Sequence, residues 1–103
     1  MKMLKALVMS ATLATAGSAF AQSTDYVLNT ASTGGTYHPV GTAISTLTKI
    51  KLLPSKGFSL TAVNSAGSGA NVQAMSAGTA QFAILQGLFG SYAITGTGPV
   101  GEP

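Results

Sequence analysis

Residues 26–47 read YVLNTASTGGTYHPVGTAISTL, and the fold class follows from their pattern. The apolar, β-prone run Tyr26–Thr30 predicts a strand, and Ser32–Thr36 predicts a glycine-rich turn. Pro39 suits the first position of the helix that follows. In that helix apolar residues recur at spacings of three and four, which predicts that it lies on a sheet with the face formed by Val40, Ala43, Ile44 and Leu47. The stretch therefore predicts one βα unit.

A second unit of the same kind begins at Phe58. Phe58–Val63 alternates in the manner of a strand and leads into a turn over residues 64–69. Ala70–Ala77 then carries a short helical pattern, which Gly78 closes. The order strand, turn, helix is thus repeated.

A third unit completes the series. Gln81–Leu85 is an apolar run typical of a strand covered on both faces, and Gln86-Gly87 breaks it before a helix predicted over Leu88–Ile94. Three βα units in succession predict an α/β fold with right-handed crossovers and a mostly parallel sheet. The turns that follow the strands then converge at one edge of the sheet, where ligands of such folds bind.

The first 21 residues have the layout of a secretory signal peptide. Lys2 and Lys5 precede or flank the largely apolar stretch 6–16, and Ala19-Phe20-Ala21 supplies small residues around a cleavage site. We predict a signal helix that is cleaved between Ala21 and Gln22, and hence a periplasmic protein. A short membrane anchor is the alternative, but the apolar stretch falls short of the roughly 18 residues that a span requires.

Composition excludes several classes of function for residues 22–103. Their charged side chains are Lys49, Lys51, Lys56, Asp25 and Glu102, which give a net charge of +1 (three minus two). Such a weak charge offers no basic stripe for a nucleic acid. There is no cysteine and only one histidine, His38, so neither a disulfide nor a zinc site is expected.

Catalytic residues and nucleotide-binding motifs are also not expected. Asp25 lies next to the cleavage site, in a terminus expected to fray, and nothing in the sequence places it near His38. One Asp, one Glu and one His offer no ordinary acid–base pair, so we predict no enzyme and no cofactor. Residues 96–101 match the dinucleotide fingerprint in letters, but they follow a predicted helix and contain Pro99. The turn at Gly34-Gly35 lacks the Gly-Lys-Ser/Thr ending of a phosphate loop.

The three turns fit the binding of a small anion. Helix N-termini present unpaired backbone N–H groups, and a bare Thr-Gly-Gly-Thr turn lets a carboxylate approach them. Hydroxyl and amide side chains add donors and acceptors, and one aromatic ring adds a wall. The candidate ligand-binding residues are Thr33, Gly34, Gly35, Thr36, Tyr37, Ser65, Gly67, Ser68 and Gln86. The same residue types form turns in any protein, so a purely structural role stays open.

The motif at residues 33–41, TGGTYHPVG, resembles the TGGTYYPVG signature of the TAXI-type receptors of TRAP transporters. Residues 65–71 are similar to that family's TGGSVEN turn, residues 77–86 to its EAGEADFALVQ segment, and residues 96–98 to its NGTG. Order and spacing agree from about Tyr26 to Pro103. After the glutamine the family commonly has Ser-Asp, whereas this chain has Gly87 and Leu88.

The resemblance implies a periplasmic-binding-protein fold of type II, in which two α/β lobes close around glutamate or a related carboxylate and deliver it to membrane permease subunits. Residues 22–103 would be part of the first lobe, with the second lobe absent. Three strands are few for a sheet, and the stretch 96–103 has no periodicity, so we expect a truncated protein with weak binding or none. The alternative is an exported module without a ligand that docks to an envelope or membrane protein.

Overall fold

A computed structural model describes residues 22–101. The predicted signal peptide, residues 1–21, lies outside the described residues. The elements follow one another as β1 (Thr24–Asn29), α1 (Tyr37–Lys51), α2 (Leu53–Lys56), β2 (Phe58–Val63), α3 (Ser68–Ser76), β3 (Phe82–Ala83), α4 (Gly87–Thr95) and a 3-10 helix (Gly98–Val100). Among these residues no helix combines the length and the apolar character that a membrane crossing needs.

The three strands form one parallel sheet in the order β2-β1-β3. This confirms the predicted α/β class and agrees with part of one lobe of a periplasmic-binding-protein fold. β1 pairs with β2 along six residues, from Thr24↔Phe58 to Asn29↔Val63. Its pairing with β3 is limited to Leu28↔Phe82 and Asn29↔Ala83. β2 coincides with its predicted bounds, and β1 begins before its predicted start.

The prediction for β3 was wrong in length and in burial. The strand has two residues, and Phe82 is 41% exposed instead of covered on both faces. β3 lies at the edge of the described sheet, so only β1 pairs with it. Phe82 packs instead with Tyr26 of β1 and Phe58 of β2, at ring-centroid distances of 5.8 and 6.1 Å.

The face on which α1 packs also differs from the prediction. Its buried residues are Gly41, Ser45 and Thr48, whereas Val40, Ile44 and Leu47 are 46%, 40% and 58% exposed. The small residues let the helix approach the sheet closely. A Cβ atom at Gly41 would overlap the Thr30 methyl group and touch Leu28 and Ile84. Close backbone approach therefore outweighs the size of the apolar side chains in orienting α1.

Hydrogen bonds reinforce this orientation. The Thr48 hydroxyl accepts a hydrogen bond from the main-chain N–H of Leu60 at 2.9 Å and donates to the Ser45 carbonyl at 2.7 Å.

α1 begins at Tyr37, so Pro39 is its third residue and not its first. The first turn of a helix has no intrahelical partner for its N–H groups, and a proline is tolerated there.

Asp25 is ordered, contrary to the expectation that it frays. It lies in β1, where its carboxylate accepts hydrogen bonds from Ser59 at 2.6 Å and Thr61 at 2.7 Å. These hydroxyls come from the paired strand β2, which holds the carboxylate in place. The Ser59 hydroxyl first, then that of Thr61, and to a smaller extent Lys49 hold the pKa of Asp25 below its usual value.

Candidate ligand-binding site

The candidate site lies at the carboxyl edge of the sheet, where three loops leave the strands. Residues 30–36 connect β1 to α1, residues 64–67 connect β2 to α3, and residues 84–86 connect β3 to α4. Because β1 is central, the chain adds β2 on one side of it and β3 on the other. This reversal is a topological switch point, the place where open parallel sheets form a ligand crevice.

Main-chain hydrogen bonds tie the first loop to the second. The Thr30 N–H donates to the Val63 carbonyl at 2.9 Å, and the Ser65 N–H donates to the Ala31 carbonyl at 3.1 Å. These bonds extend the β1–β2 pairing past the last strand residues. The loops after β1 and β2 therefore leave the sheet side by side.

Asn71, in the second turn of α3, joins the ends of all three strands. Its side chain is fully buried, and its amide N–H groups donate to the carbonyls of Thr30 at 2.6 Å and Ile84 at 3.0 Å. Its amide oxygen accepts a hydrogen bond from the Ser65 hydroxyl at 2.6 Å. Thr30 follows β1, Ile84 follows β3 and Ser65 follows β2. One buried amide thus sets the relative positions of the three loops.

Ser68 connects the second loop to the third. This nearly buried residue is the first of α3, and its hydroxyl accepts a hydrogen bond from the Gln86 main-chain N–H at 3.0 Å. Gln86 is the residue that precedes α4. The starts of α3 and α4 are therefore neighbours at the carboxyl edge.

No side chain caps the starts of the three helices that begin at this edge. The residues at these starts, Thr36, Gly67 and Gln86, make no side-chain capping hydrogen bond. A side-chain oxygen at this position would otherwise bind first-turn N–H groups. The uncapped first-turn N–H groups of these three helices carry partial positive charge and favour an anion.

The Thr33–Thr36 turn is exposed and open. A Cβ atom at Gly34 would meet nothing within 4 Å, and the Gly35 N–H closes the turn on the Ser32 carbonyl at 3.0 Å. Gly67 in the second loop has φ +117° and ψ −162°, a conformation that favours glycine. Both loops therefore use glycine to keep the backbone accessible.

The predicted site residues fall into two groups. In the first group, Ser65 bonds Asn71 and accepts from the Gly67 N–H at 3.2 Å, and Ser68 accepts from the Gln86 N–H. The turn at 33–36 is joined to this network through Thr30, at the start of its own loop. Within residues 22–101 no hydrogen bond links residues 33–36 directly to the other two loops. Tyr37 is half-buried as the first residue of α1.

Two residues of this edge, Thr30 and Asn71, were missed as site residues by the sequence analysis, and a third, His38, was expected at a turn or pocket rim but not among the ligand-binding residues. The side chain of His38, the second residue of α1, places Nδ1 at 2.9 Å from the Thr30 hydroxyl oxygen. Asn71 gives a weak signal in the sequence, because asparagine is a poor helix former in the middle of a short helix. Its hydrogen-bond partners are distant in sequence, so the sequence does not reveal which groups Asn71 bonds.

Charge is distributed away from the carboxyl edge. Of the described residues with a formal charge, Asp25 lies at the start of β1, and Lys49, Lys51 and Lys56 lie at the end of α1 and in α2. These positions are near the amino ends of the strands. No described carboxylate therefore repels an anion at the carboxyl edge.

A groove of about 270 Å³, lined by Val72, Gln73, Ser76, Ala77 and Val100, contains none of the predicted site residues.

Residues 28–103 match the sequence profile of the NMT1-like family. The chain belongs to the NMT1-like family. The match begins in β1 and includes all three βα connections of the candidate site. No curated protein matches the chain.

The NMT1-like family consists of periplasmic solute-binding proteins and not of enzymes. Membership therefore gives this NMT1-like chain a substrate-binding role and a small-molecule ligand. This agrees with the solute-binding function expected from the sequence motifs. Extracytoplasmic location is typical of the family.

Proposed function

We propose that this chain is a substrate-binding component of a TRAP-type transporter of the TAXI class. It captures a small carboxylate or amino acid such as glutamate in the periplasm, for delivery to the membrane permease subunits. Residues 22–103 contribute part of the first lobe of the receptor after cleavage of the signal peptide at Ala21. The TAXI class rests on the motif at residues 33–41, and the solute-binding role on the family match.

The observation that carries the proposal is the presence of three uncapped helix starts at the carboxyl edge; Asn71 joins the loops that lead to them, and Ser68 joins the starts of α3 and α4. A carboxylate that reaches this edge meets backbone N–H groups and neutral hydroxyl groups, with no described carboxylate nearby. Backbone dipoles that are fixed before binding need little reorganisation, which favours affinity. The arrangement holds a ligand and offers no group that would transform it.

The proposed binding residues have distinct roles. The backbone at Gly34, Gly35 and Gly67 gives the ligand close access, and the hydroxyls of Thr33 and Thr36 donate or accept at the exposed turn. Ser65 and Ser68 hold the loops through their bonds to Asn71 and Gln86. Tyr37 contributes an aromatic wall, and the exposed Gln86 side chain is free to bond the ligand.

NMR titration of the ¹⁵N-labelled protein with glutamate tests the proposal, because chemical shifts report binding even at millimolar dissociation constants. We expect saturable shifts of the amide signals at Gly34, Gly35, Ser68 and Gly87, all at the carboxyl edge. Amides near Lys51 and Lys56, at the opposite edge, serve as the internal control. The proposal requires at least weak binding by residues 22–103, so it is refuted if neither glutamate nor any small dicarboxylate shifts the edge signals.

A second function, docking to an envelope or membrane protein without a ligand, is favoured by a different observation. The outward face of α1 carries an apolar row in which Val40, Ile44, Leu47 and Ile50 are 40% to 61% exposed. Such a row is suited to contact with another protein. Leu47→Lys would weaken docking and leave ligand-induced shifts unchanged, whereas a change at the Gly34-Gly35 turn would do the reverse.

A further inference from the structure

Gln22 becomes the first residue of the protein if the signal peptide is cleaved as proposed. It lies just before β1, and both Gln22 and the following Ser23 are exposed. Within residues 22–101 neither the main-chain N–H of Gln22 nor its side-chain amide makes a hydrogen bond. After cleavage, the described part of the chain therefore leaves its α-amino group and its carboxamide free to react with each other.

The backbone of Gln22 is held on its carbonyl side. Gly57, which ends α2 with φ +64°, lies so close that a Cβ atom there would be 3.0 Å from the Gln22 carbonyl oxygen. The Thr24 N–H donates to the Gly57 carbonyl at 2.7 Å, where β1 begins to pair with β2. Closing a ring between the α-nitrogen and the carboxamide requires rotation about the side-chain bonds only. Ring closure at Gln22 is therefore compatible with the folded start of β1.

An amino-terminal glutamine carries both reactants of this ring closure. At about pH 8 a substantial fraction of α-amino groups is neutral and nucleophilic. The α-nitrogen of Gln22 attacks the side-chain amide carbon, the bond from that carbon to the amide nitrogen breaks, and a lactam ring forms. The amide nitrogen leaves as ammonia after it takes one proton from the attacking amine. The step balances without an oxidant, a reductant or a cofactor.

We propose that Gln22 cyclises to pyroglutamate after cleavage at Ala21, so that the exported protein has no free amino terminus. The inference rests on the cleavage in the proposed function and adds a covalent modification to it. The lactam removes the terminal positive charge. It also removes the α-amino group that aminopeptidases require. Only Ser23 separates Gln22 from β1, the central strand, so the modification protects the strand that pairs with both β2 and β3.

Intact mass spectrometry of the full chain after export, followed by incubation at about pH 8, tests cleavage and cyclisation separately. We expect a mass about 17 Da below that of residues 22–103, the loss of one ammonia. Gln22→Asn is the matched control, because its side chain carries the same amide on one methylene fewer and would have to close a strained ring. This variant should keep the full mass of its residues 22–103.

The full mass of residues 22–103 after incubation would overturn the inference while the cleavage stands. A loss of ammonia that persists in Gln22→Asn would place the reaction elsewhere and would also overturn it. A different amino-terminal residue would instead refute the proposed cleavage, and the inference with it.

A comparison of folded and denatured protein tests the structural argument. Protein purified promptly after export in acid, where the amine is protonated, provides the starting material. We expect the folded protein to lose ammonia without unfolding, because an exposed segment reacts in the native state. A reaction confined to the protein in guanidinium chloride would overturn the inference.

Discussion

Asn71 donates a side-chain hydrogen bond to the main-chain oxygen of Thr30 at 2.6 Å across 41 positions of sequence. Together with its bonds to Ile84 and Ser65, this contact uses both amide protons and the amide oxygen. A buried polar group contributes favourably only when its partners are present, and here all of them are. The relationship makes Asn71 a structural determinant of the candidate site.

Replacing Asn71 by leucine, which has a similar size, should destabilise the protein by about 3 kcal/mol. The change removes the donors to the Thr30 and Ile84 carbonyls and leaves buried polar groups without partners. Urea unfolding measures the loss, and Gln73→Leu at an exposed position of the same helix is the matched control. Equal unfolding midpoints for the two variants would contradict the role of Asn71.

Gly41→Ala and Gly90→Ala should have opposite effects on stability. At Gly41 a Cβ atom overlaps the Thr30 methyl group, and such overpacking costs about 1–3 kcal/mol. At Gly90, inside α4, nothing lies within 4 Å, so alanine should stabilise the helix by up to about 1 kcal/mol. Thermal or urea unfolding of both variants measures the difference. A stabilising Gly41→Ala would show that α1 does not depend on close approach to Thr30.

The sequence predicted the elements of this fold well because their signals are local. Alternation in Phe58–Val63 gave the exact bounds of β2, and the break at Gln86-Gly87 placed α4 within one residue at each end. The helix α2, Leu53–Lys56, was not predicted, since four residues are too few for a periodic pattern. The local pattern also could not predict which face of α1 packs on the sheet, because the close backbone approach at Gly41 outweighs the burial of larger apolar side chains.

The candidate site was predictable only in outline. Parallel βα units imply that the loops meet at one edge, where the Ser65 hydroxyl bonds the Thr30 carbonyl and the Ser68 hydroxyl accepts from the Gln86 N–H. The residue that holds them, Asn71, contacts Thr30 and Ile84 only after the sheet has formed. Contacts between residues so distant in sequence leave no periodic signal, and the same applies to the Thr30–His38 pair.

The contribution of Asp25 to stability should decrease in acid. Its pKa is lowered in the folded state, chiefly by the Ser59 hydroxyl, so its stabilising effect is complete above the unfolded pKa of about 3.9 and is lost as pH falls through the lower folded value. Asp25→Asn should remove this pH-dependent contribution to stability. Thermal midpoints at about pH 6 and about pH 3 test this prediction. Between these two pH values the midpoint of the unchanged protein should fall further than that of the variant. Parallel losses in the two proteins would contradict the prediction.

Gly35→Val should weaken ligand binding and leave the fold intact. A Cβ atom at Gly35 would lie 3.3 Å from the Ser32 hydroxyl, which can rotate, and Gly35 does not have a positive φ. Stability should therefore change by less than about 0.5 kcal/mol, as is usual for exposed positions. The isopropyl group would cover the N–H groups at the start of α1, so we expect the dissociation constant for glutamate to rise at least about ten-fold. NMR titration measures this, and Gly90→Ala, which lies outside the three loops, should bind as the unchanged protein does. Undiminished glutamate binding by Gly35→Val would exclude the turn at residues 33–36 from the site, because no other change separates the two proteins.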